Sequence, residues 1–131
     1  MSQIHTTQIR VRSTDLDSFG HVNNAVYLQY LEIARCDYMR QVGLSFNDFD
    51  KWNALPVVVE ARLRYYHSLI ADDLIEVQGT FPEWQRSSFL IDFEIVKNKE
   101  IRVLTARLRF AFVNKEGKSL RIPEIFKKAL S

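Results

Sequence analysis

The sequence is poor in cysteine, glycine and proline, with one, four and three of them in 131 residues. So few chain-breaking residues exclude a collagen-like or linker-like disordered chain, and 47% hydrophobic residues are enough to build a core. The single cysteine, Cys36, excludes an internal disulfide and a cysteine-based zinc site. The start, MSQIHTTQIRVRS, also has no apolar run like that of a signal peptide. We therefore expect a location in the reducing cytoplasm.

An excess of one charge sign and a long apolar run are also lacking. Eighteen Lys and Arg against sixteen Asp and Glu give a formal net charge of +2. This balance gives no reason to expect a nucleic acid or an anionic membrane as a partner. The longest stretch without Lys, Arg, Asp or Glu, residues 18–31, is interrupted by His21, Asn23 and Asn24. A membrane span needs about 20 mostly apolar residues, so we expect no span and one domain over residues 1–131.

Hydrophobic periodicity predicts a short strand at residues 8–12 and then one long helix over residues 24–42. Apolar side chains recur at helical spacing in that helix, at Tyr27, Leu31, Ala34, Tyr38 and Val42. Asn23 or Asn24 can cap its start, and Gly43 suits a left-handed end.

Four stretches after the helix alternate apolar and polar residues, as strands with one buried face do. They cover residues 57–65, 75–81, 89–95 and 104–112. The pattern predicts an α+β fold in which a five-stranded antiparallel sheet covers one long helix. The basic tail, residues 115–131, is expected to form a short amphipathic helix whose apolar residues are Ile122, Ile125, Phe126 and Leu130. Because one helix cannot cover five strands, we expect edge strands or sheet faces to meet in an oligomer.

Polar residues are densest in the turn before the predicted helix. They are Asp15, Asp17, Ser18, Gly20, His21, Asn23 and Asn24. Free backbone N–H groups at a helix start carry partial positive charge and can stabilise a carbonyl oxygen that becomes negative. A carboxylate just before that start, such as Asp17, would attack the carbonyl carbon or activate a water. The alternative is that these residues only satisfy hydrogen bonds of the turn and the cap, and the spacing leaves both interpretations open.

The stretch TDLDSFGHVNNAVYLQYLEIAR resembles the D-x-D-x-x-G-H-x-N-N-x-x-Y motif of hot-dog fold acyl-CoA thioesterases, the 4-hydroxybenzoyl-CoA thioesterase family. The stretch EWQRSSFLIDFEI resembles the strand–turn–strand region of the same family, so the resemblance extends over essentially the whole chain. It implies a hot-dog fold, with the sheet wrapped around the helix, and hydrolysis of an acyl-CoA to a free acid and CoA.

The resemblance also implies roles for individual residues. Asp17 corresponds to the catalytic carboxylate, and Asn24 to the residue whose backbone N–H polarises the thioester carbonyl. The implied lining of the site is Gly20, His21, Asn23 and Tyr27, with Glu60 of the first long strand as a further contributor. The implied CoA-contacting loop contains Arg86, Ser87 and Ser88. The acyl pocket of this fold typically lies between subunits, so a homodimer, or a homotetramer built as a dimer of dimers, is expected.

Thioester hydrolysis suits these residues because its leaving group is a thiolate, whose thiol has a pKa of about 8.5 by analogy with cysteine. Such a group departs without a strong general acid, so a carboxylate and an oxyanion site suffice and no metal or redox cofactor is expected. His5 and His67 have no partners at metal-ligand spacing. Whether Asp17 attacks directly or acts as a general base stays open, as does acyl-carrier protein as the thioester donor.

Two other functions stay open on the sequence. A hot-dog dehydratase of 3-hydroxyacyl thioesters would use a histidine and a carboxylate, but the chain has no H-F-P…P-G-V-type motif. A non-catalytic module that binds acyl thioesters would share the fold without the reaction. Release of free thiol from acyl-CoA separates both from a thioesterase.

Overall fold

A long helix lies against one face of an antiparallel sheet in the computed structural model, which describes residues 3–130. The strands are β1 (Gln3–Arg10), β2 (Leu55–Tyr65), β3 (Leu74–Trp84), β4 (Ser88–Lys97), β5 (Ile101–Val113) and β6 (Ser119–Leu120). The helices are α1 (Asn24–Gln41), α2 (Phe46–Trp52) and α3 (Glu124–Ala129), and a 3-10 turn covers Ser13–Asp15. The strand order is β1-β3-β4-β5-β2, with β6 paired to β5, so β1 and β2 are the edges.

The predicted long helix is confirmed as α1, and its apolar stripe faces the sheet. Tyr27, Leu31, Ala34 and Tyr38 are all buried. The helix begins where the sequence predicts because the Asn23 side chain accepts a hydrogen bond from the N–H of Ala25 (2.9 Å). Its end is followed by Gly43 with a φ of +84°, a left-handed conformation that glycine adopts without strain.

The inward faces predicted for the later strands are also confirmed. The buried residues of β3, β4 and β5 include Ile75, Val77, Phe81, Phe89, Ile91, Phe93, Ile95, Leu104, Leu108, Phe110 and Phe112. Strand β2 differs, because all 11 of its residues are exposed or half-buried. It pairs with β5 on one side only and leaves its other edge open, with Val58 and Val59 46% and 55% exposed.

Several boundaries differ from the sequence prediction. The sheet has six strands instead of five, because the two residues of β6 add to β5. β1 is Gln3–Arg10 instead of residues 8–12, since its pairing with β3 extends through polar residues that show no alternation. Helix α2 was not predicted, because seven residues are too few to establish a helical period.

The predicted tail helix is present as α3, but only three of the four apolar residues expected on its buried side are buried. Ile122, Phe126 and Leu130 are buried, whereas Ile125 is 54% exposed. The Phe126 ring packs against Phe49 of α2 and against Phe89 of β4. α3 therefore closes the end of the core at which α2 also packs. The last residue of the predicted tail, Ser131, lies outside the described residues.

A buried polar cluster joins β1 to α1. His5 is 8% exposed, and its Nε2 donates to Asp37 Oδ2 (3.0 Å), since an ionised carboxylate only accepts. Thr7 Oγ1 donates to the same oxygen (2.8 Å), and Arg40 donates to Asp37 Oδ1 (3.4 Å). Burial acts to raise the pKa of Asp37, but the hydrogen bonds from His5 and Thr7 outweigh it and hold this pKa below its ordinary value. The cluster therefore favours the ionised carboxylate in the folded state.

Asp37→Asn is expected to lower the free energy of unfolding at neutral pH by roughly 1–2 kcal/mol, as for loss of hydrogen bonds to a charged group. Because the folded-state pKa lies below the ordinary value, the contribution is present above pH 4–5 and is lost as the pH falls through the folded-state pKa. Denaturant unfolding at pH 7 and near pH 3 measures the change. The control Asp50→Asn alters an exposed pair with Lys115 (2.9 Å) and should change stability little at either pH. A difference between parent and Asp37→Asn that does not shrink in acid would contradict this role.

Candidate functional site

The turn before α1 leaves one carboxylate oxygen of Asp17 available. The Asp17 N–H donates to His21 O (2.8 Å), and the Gly20 N–H donates to Asp17 O (3.1 Å). Asp17 Oδ1 accepts from the N–H of Phe19 (2.9 Å), while Oδ2 has no partner within residues 3–130. Gly20 closes this turn with a φ of +80°, which favours glycine. The side chain is thus oriented through Oδ1, and Oδ2 is left without a hydrogen-bond partner in the described part of the chain.

The neighbouring Asp15 and Asn23 stabilise the turn instead. Asp15 is buried and accepts from the Tyr30 hydroxyl (2.8 Å) and from the N–H and guanidinium of Arg12 (3.0 and 3.2 Å). Burial acts to raise the pKa of Asp15, but these hydrogen bonds hold it below its ordinary value. The Asn23 N–H donates to Asp15 O (3.0 Å), and the Asn23 side chain caps the helix. The purely structural interpretation of the polar turn therefore applies to these two residues.

The backbone N–H of Asn24 is the free donor at the start of α1. The next two amides are satisfied, since Ala25 N–H donates to Asn23 Oδ1 and Val26 N–H donates to Asn23 O (both 2.9 Å). The Asn24 N–H donates to no acceptor in the described part of the chain. Such a donor, at the positive end of an 18-residue helix, can stabilise a developing oxyanion.

A cavity of about 410 Å³, the Asp17 cavity, brings these groups together. Its lining consists of Asp17, Phe19, His21, Val22, Asn24, Tyr27, Tyr65, Tyr66, His67 and Ser68. The end of β2 reaches the helix start here, because the Tyr65 hydroxyl donates to Asn24 O (3.2 Å) and the Tyr65 ring packs edge-on against Tyr27 (5.2 Å). Burial raises the pKa of Tyr27, which favours its neutral hydroxyl. The Phe19 ring is 84% exposed at this cavity.

Four of the residues expected in the site lie in this lining, and six do not. Asp17, His21, Asn24 and Tyr27 line the cavity. Gly20 and Asn23 belong to the turn without lining it. Glu60 and the loop residues Arg86, Ser87 and Ser88 lie away from the cavity in this chain.

The loop that contains Arg86, Ser87 and Ser88 lies toward the Leu55 end of β2, whereas Glu60 lies at the middle of that strand. Arg109 links Glu60 to this loop, since its guanidinium lies 3.8 Å from Glu60 and donates to Ser88 Oγ (3.3 Å) and to Gln85. Ser88 is in register with Ala111, which pairs with Val57 of β2. At about 3.3 Å per residue, this position is roughly 25 Å along β2 from Tyr65. One chain therefore does not unite the two groups of predicted site residues.

Sequence reasoning missed the stretch 65–68, which supplies four of the lining residues. It predicted a strand through Tyr65 and assigned no site residue to positions 65–68. An aromatic and polar run, YYHS, at the end of a strand is the signal that marks such a segment. Its position beside the helix start depends on contacts between residues some 40 positions apart.

Metal-ligating and membrane-spanning features were searched within residues 3–130. There, no three His, Cys, Asp or Glu side chains come together in a way that could hold a metal ion. Within the same residues, no helix is both long and apolar enough to cross a membrane.

Comparison with known families identifies the family to which this chain belongs. The model of the thioesterase-like superfamily matches residues 11–130, which is most of the chain. The chain belongs to the thioesterase-like superfamily.

Relatives and solved structures agree with this assignment. The chain is 33% identical over 106 residues to the long-chain acyl-CoA thioesterase FadM of Escherichia coli, covering 78% of this chain and 76% of FadM. It is 26% identical to the chloroplastic acyl-acyl carrier protein thioesterase ATL3 of Arabidopsis thaliana, covering 94% of this chain but only 65% of the length of ATL3. A crystal structure of a 4-hydroxybenzoyl CoA thioesterase mutant, with 4-hydroxybenzoyl CoA, matches its fold with a TM-score of 0.89 at 19% identity. That match covers 98% of this chain and 99% of the other.

This member of the thioesterase-like superfamily therefore has the α+β hot-dog fold that the motif predicted. The predicted family and the enzyme class, a thioester hydrolase, are confirmed as well.

Proposed function

We propose that this protein hydrolyses an acyl-CoA to a free carboxylic acid and CoA, with Asp17 as the catalytic carboxylate. The observation that carries this function is the pairing of two unsatisfied groups at one cavity. Asp17 Oδ2 is free for chemistry, and the Asn24 N–H is a free donor at the positive end of α1. A thioester bound between them would have a nucleophile or base near its carbonyl carbon and a donor for its oxygen.

Two routes are consistent with this pairing. In one, Asp17 attacks the thioester carbon, the carbon–sulfur bond breaks, CoA leaves as a thiolate, and water hydrolyses the mixed anhydride. In the other, Asp17 removes a proton from a water that attacks the same carbon, the carbon–sulfur bond breaks, and CoA leaves as a thiolate with the free acid as the second product. In both, the Asn24 N–H stabilises the oxygen as it becomes negative. Neither needs a metal or redox cofactor, because a thiolate leaves readily at neutral pH.

We further propose that the working enzyme is a homodimer paired through β2. The open edge of β2 exposes two valines, Val58 and Val59, together with unpaired backbone groups. Antiparallel pairing of two β2 strands about their midpoint would place the Tyr65 end of one chain beside the Leu55 end of the other. The loop with Arg86 of the partner subunit would then approach the Asp17 cavity. Such a dimer unites the groups that lie roughly 25 Å apart in one chain.

A homotetramer would be built from two such dimers that contact each other away from the β2 edge. The cytoplasm remains the proposed location, since a single half-buried cysteine is typical of chains from reducing compartments. In this proposal each subunit contributes one hot-dog domain, residues 1–131, to the assembly.

Release of free thiol from a panel of acyl thioesters tests the proposed function. The panel contains short, long, branched and aromatic acyl-CoAs and the same acyl groups on acyl-carrier protein. Turnover of at least one acyl-CoA is expected, and the preferred acyl group defines the substrate. Turnover of carrier-protein thioesters alone would correct the thioester donor. Tight acyl-CoA binding without any thiol release would instead identify a non-catalytic binding module.

A further inference from the structure

A second cavity, of about 540 Å³, lies on the face of the sheet that α1 does not cover. We call it the outer-face cavity. Its lining consists of Arg62, Leu63, Arg64, Tyr66, Asp92, Phe93, Thr105, Ala106 and Arg107. Three arginines and one carboxylate around a single concavity make it an unusually cationic surface for a chain with a net charge of only +2.

Two nearby arginines on this face are already neutralised within the chain. Arg107 donates to both oxygens of Asp92 (2.7 and 3.0 Å) and to Glu83 (3.2 Å). Arg102 donates to Glu94 (2.7 Å). The carboxylate that lines the cavity, Asp92, and the nearby Glu83 and Glu94 are therefore each paired with one of these arginines.

Arg62 and Arg64 of the edge strand β2 differ from these two arginines. Both are exposed, and neither forms an ion pair with a carboxylate of residues 3–130. The register places Arg62 directly opposite Arg107 and Arg64 opposite Thr105, so no acidic side chain faces them across the sheet. Because Arg107 is already paired with Asp92 and Glu83, Arg62 and Arg64 are the cations lining this cavity that remain available to a bound anion.

The outer-face cavity adjoins the Asp17 cavity at Tyr66, which lines both. The Tyr66 ring lies under the Arg102 guanidinium, 5.6 Å from its centre. The hydrogen bond with Thr105 lowers the pKa of Tyr66, and the nearby Arg64 and Arg102 lower it further. The guanidinium groups of Arg64 and Arg102 therefore lie near the ring that the two cavities share. Arg62 lies four residues before Tyr66, which is about 13 Å along an extended chain.

We propose that Arg62 and Arg64 bind the phosphates of the CoA moiety, a proposal that rests on the proposed acyl-CoA substrate. A CoA thioester carries its phosphates at one end and its thioester at the other, joined by a long uncharged pantetheine arm. A phosphate site must therefore lie away from the carboxylate of Asp17, which would repel it, yet within reach of the arm. The two unpaired arginines meet both conditions and offer bidentate donors, the geometry that phosphate favours.

The test compares an acyl-CoA with the same acyl group on pantetheine, which has no phosphate. The double variant Arg62→Gln with Arg64→Gln should raise KM for acyl-CoA about tenfold, the equivalent of one hydrogen bond to a charged group. KM and kcat for the acyl-pantetheine should not change. The parent's kcat/KM for acyl-CoA, but not for acyl-pantetheine, should fall as salt is raised.

Arg121→Gln is the matched control, since Arg121 is also exposed and has no ion pair in the described residues, and it should leave both KM values unchanged. An unchanged KM for acyl-CoA in the double variant would overturn the proposal, as would an equal rise for both substrates. A rise in Arg86→Gln alone would assign the phosphates to the loop instead. A change of oligomeric state in the double variant, seen by sedimentation, would identify this face as a contact between copies of the chain.

Failure of the proposed function is separable from failure of this site. If the parent hydrolyses neither substrate, calorimetric titration with CoA alone decides. Binding at least about tenfold weaker in the double variant than in Arg121→Gln supports the phosphate site. Equal binding overturns it.

Discussion

Asp17→Asn is expected to lower kcat for acyl-CoA by at least about 10²- to 10³-fold, the cost of losing a single oxyanion donor. An asparagine can neither attack the thioester carbon effectively nor accept a proton from water, so both routes would fail. The turn should survive, because an asparagine Oδ1 can still accept from the Phe19 N–H that now bonds to Asp17 Oδ1 (2.9 Å). Binding of acyl-CoA should therefore persist, and thiol release in steady state measures the loss.

Asp72→Asn provides the matched control for this change. Asp72 is also an exposed aspartate, and its φ of 70° lies in the left-handed region, where asparagine is well tolerated. This variant should keep the parent's kcat. An Asp17→Asn protein that binds acyl-CoA and retains the parent's kcat would refute the role of Asp17.

Val59→Lys is expected to separate the proposed dimer and with it the composite site. Val59 lies at an irregularity of β2, between the paired residues Val58 and Glu60, and is 55% exposed on the open edge. A lysine at an edge strand opposes pairing with another strand, because the charge would have to be buried. Sedimentation should show monomers at micromolar concentration. Activity on acyl-CoA should fall about 10²-fold, the cost of misplaced substrate-positioning groups.

Ile125→Lys is the control for this experiment. Ile125 is 54% exposed on α3, so its replacement introduces the same charge at a matched exposure away from β2. This variant should stay dimeric and active. A Val59→Lys protein that remains a dimer with full activity would remove β2 as the pairing edge. The circular dichroism of both variants should match the parent, since neither residue lies in the buried core.

Much of the fold was predictable because the pattern is local. Inward-facing residues such as Ile91 and Phe110 alternate with polar neighbours, and a strand repeats every two residues regardless of its position in the sheet. The start of α1 was predictable because its cap, Asn23, acts on an amide two residues away. Helix α2 was not predictable on this basis, since its position depends on Phe49 packing against Phe112 and Phe126, far along the chain.

The candidate site also has one part that the sequence predicted and another that only the structure revealed. The D-x-D-x-x-G-H-x-N-N turn is one short segment, so the proximity of Asp17 to the helix start follows from the sequence. The sequence did not reveal that Asp15 is held by Tyr30 and Arg12 while one oxygen of Asp17 stays free, because that difference depends on which side chains pack nearby. Nor did it reveal the wall formed by residues 65–68.

By itself, the sequence determined an α+β chain with one long helix, alternating strands and a polar turn that resembles a thioesterase motif. It also determined the low net charge and the scarcity of cysteine. Only the tertiary structure decided that the Asn24 N–H has no acceptor within residues 3–130, that Arg62 and Arg64 have no carboxylate directly opposite on β5, and that Glu60 and Ser88 do not line the Asp17 cavity. The physical reason is one of range. Periodicity and capping involve residues a few positions apart, whereas unpaired donors, unpaired charges and cavities depend on the order and register of strands distant in the chain.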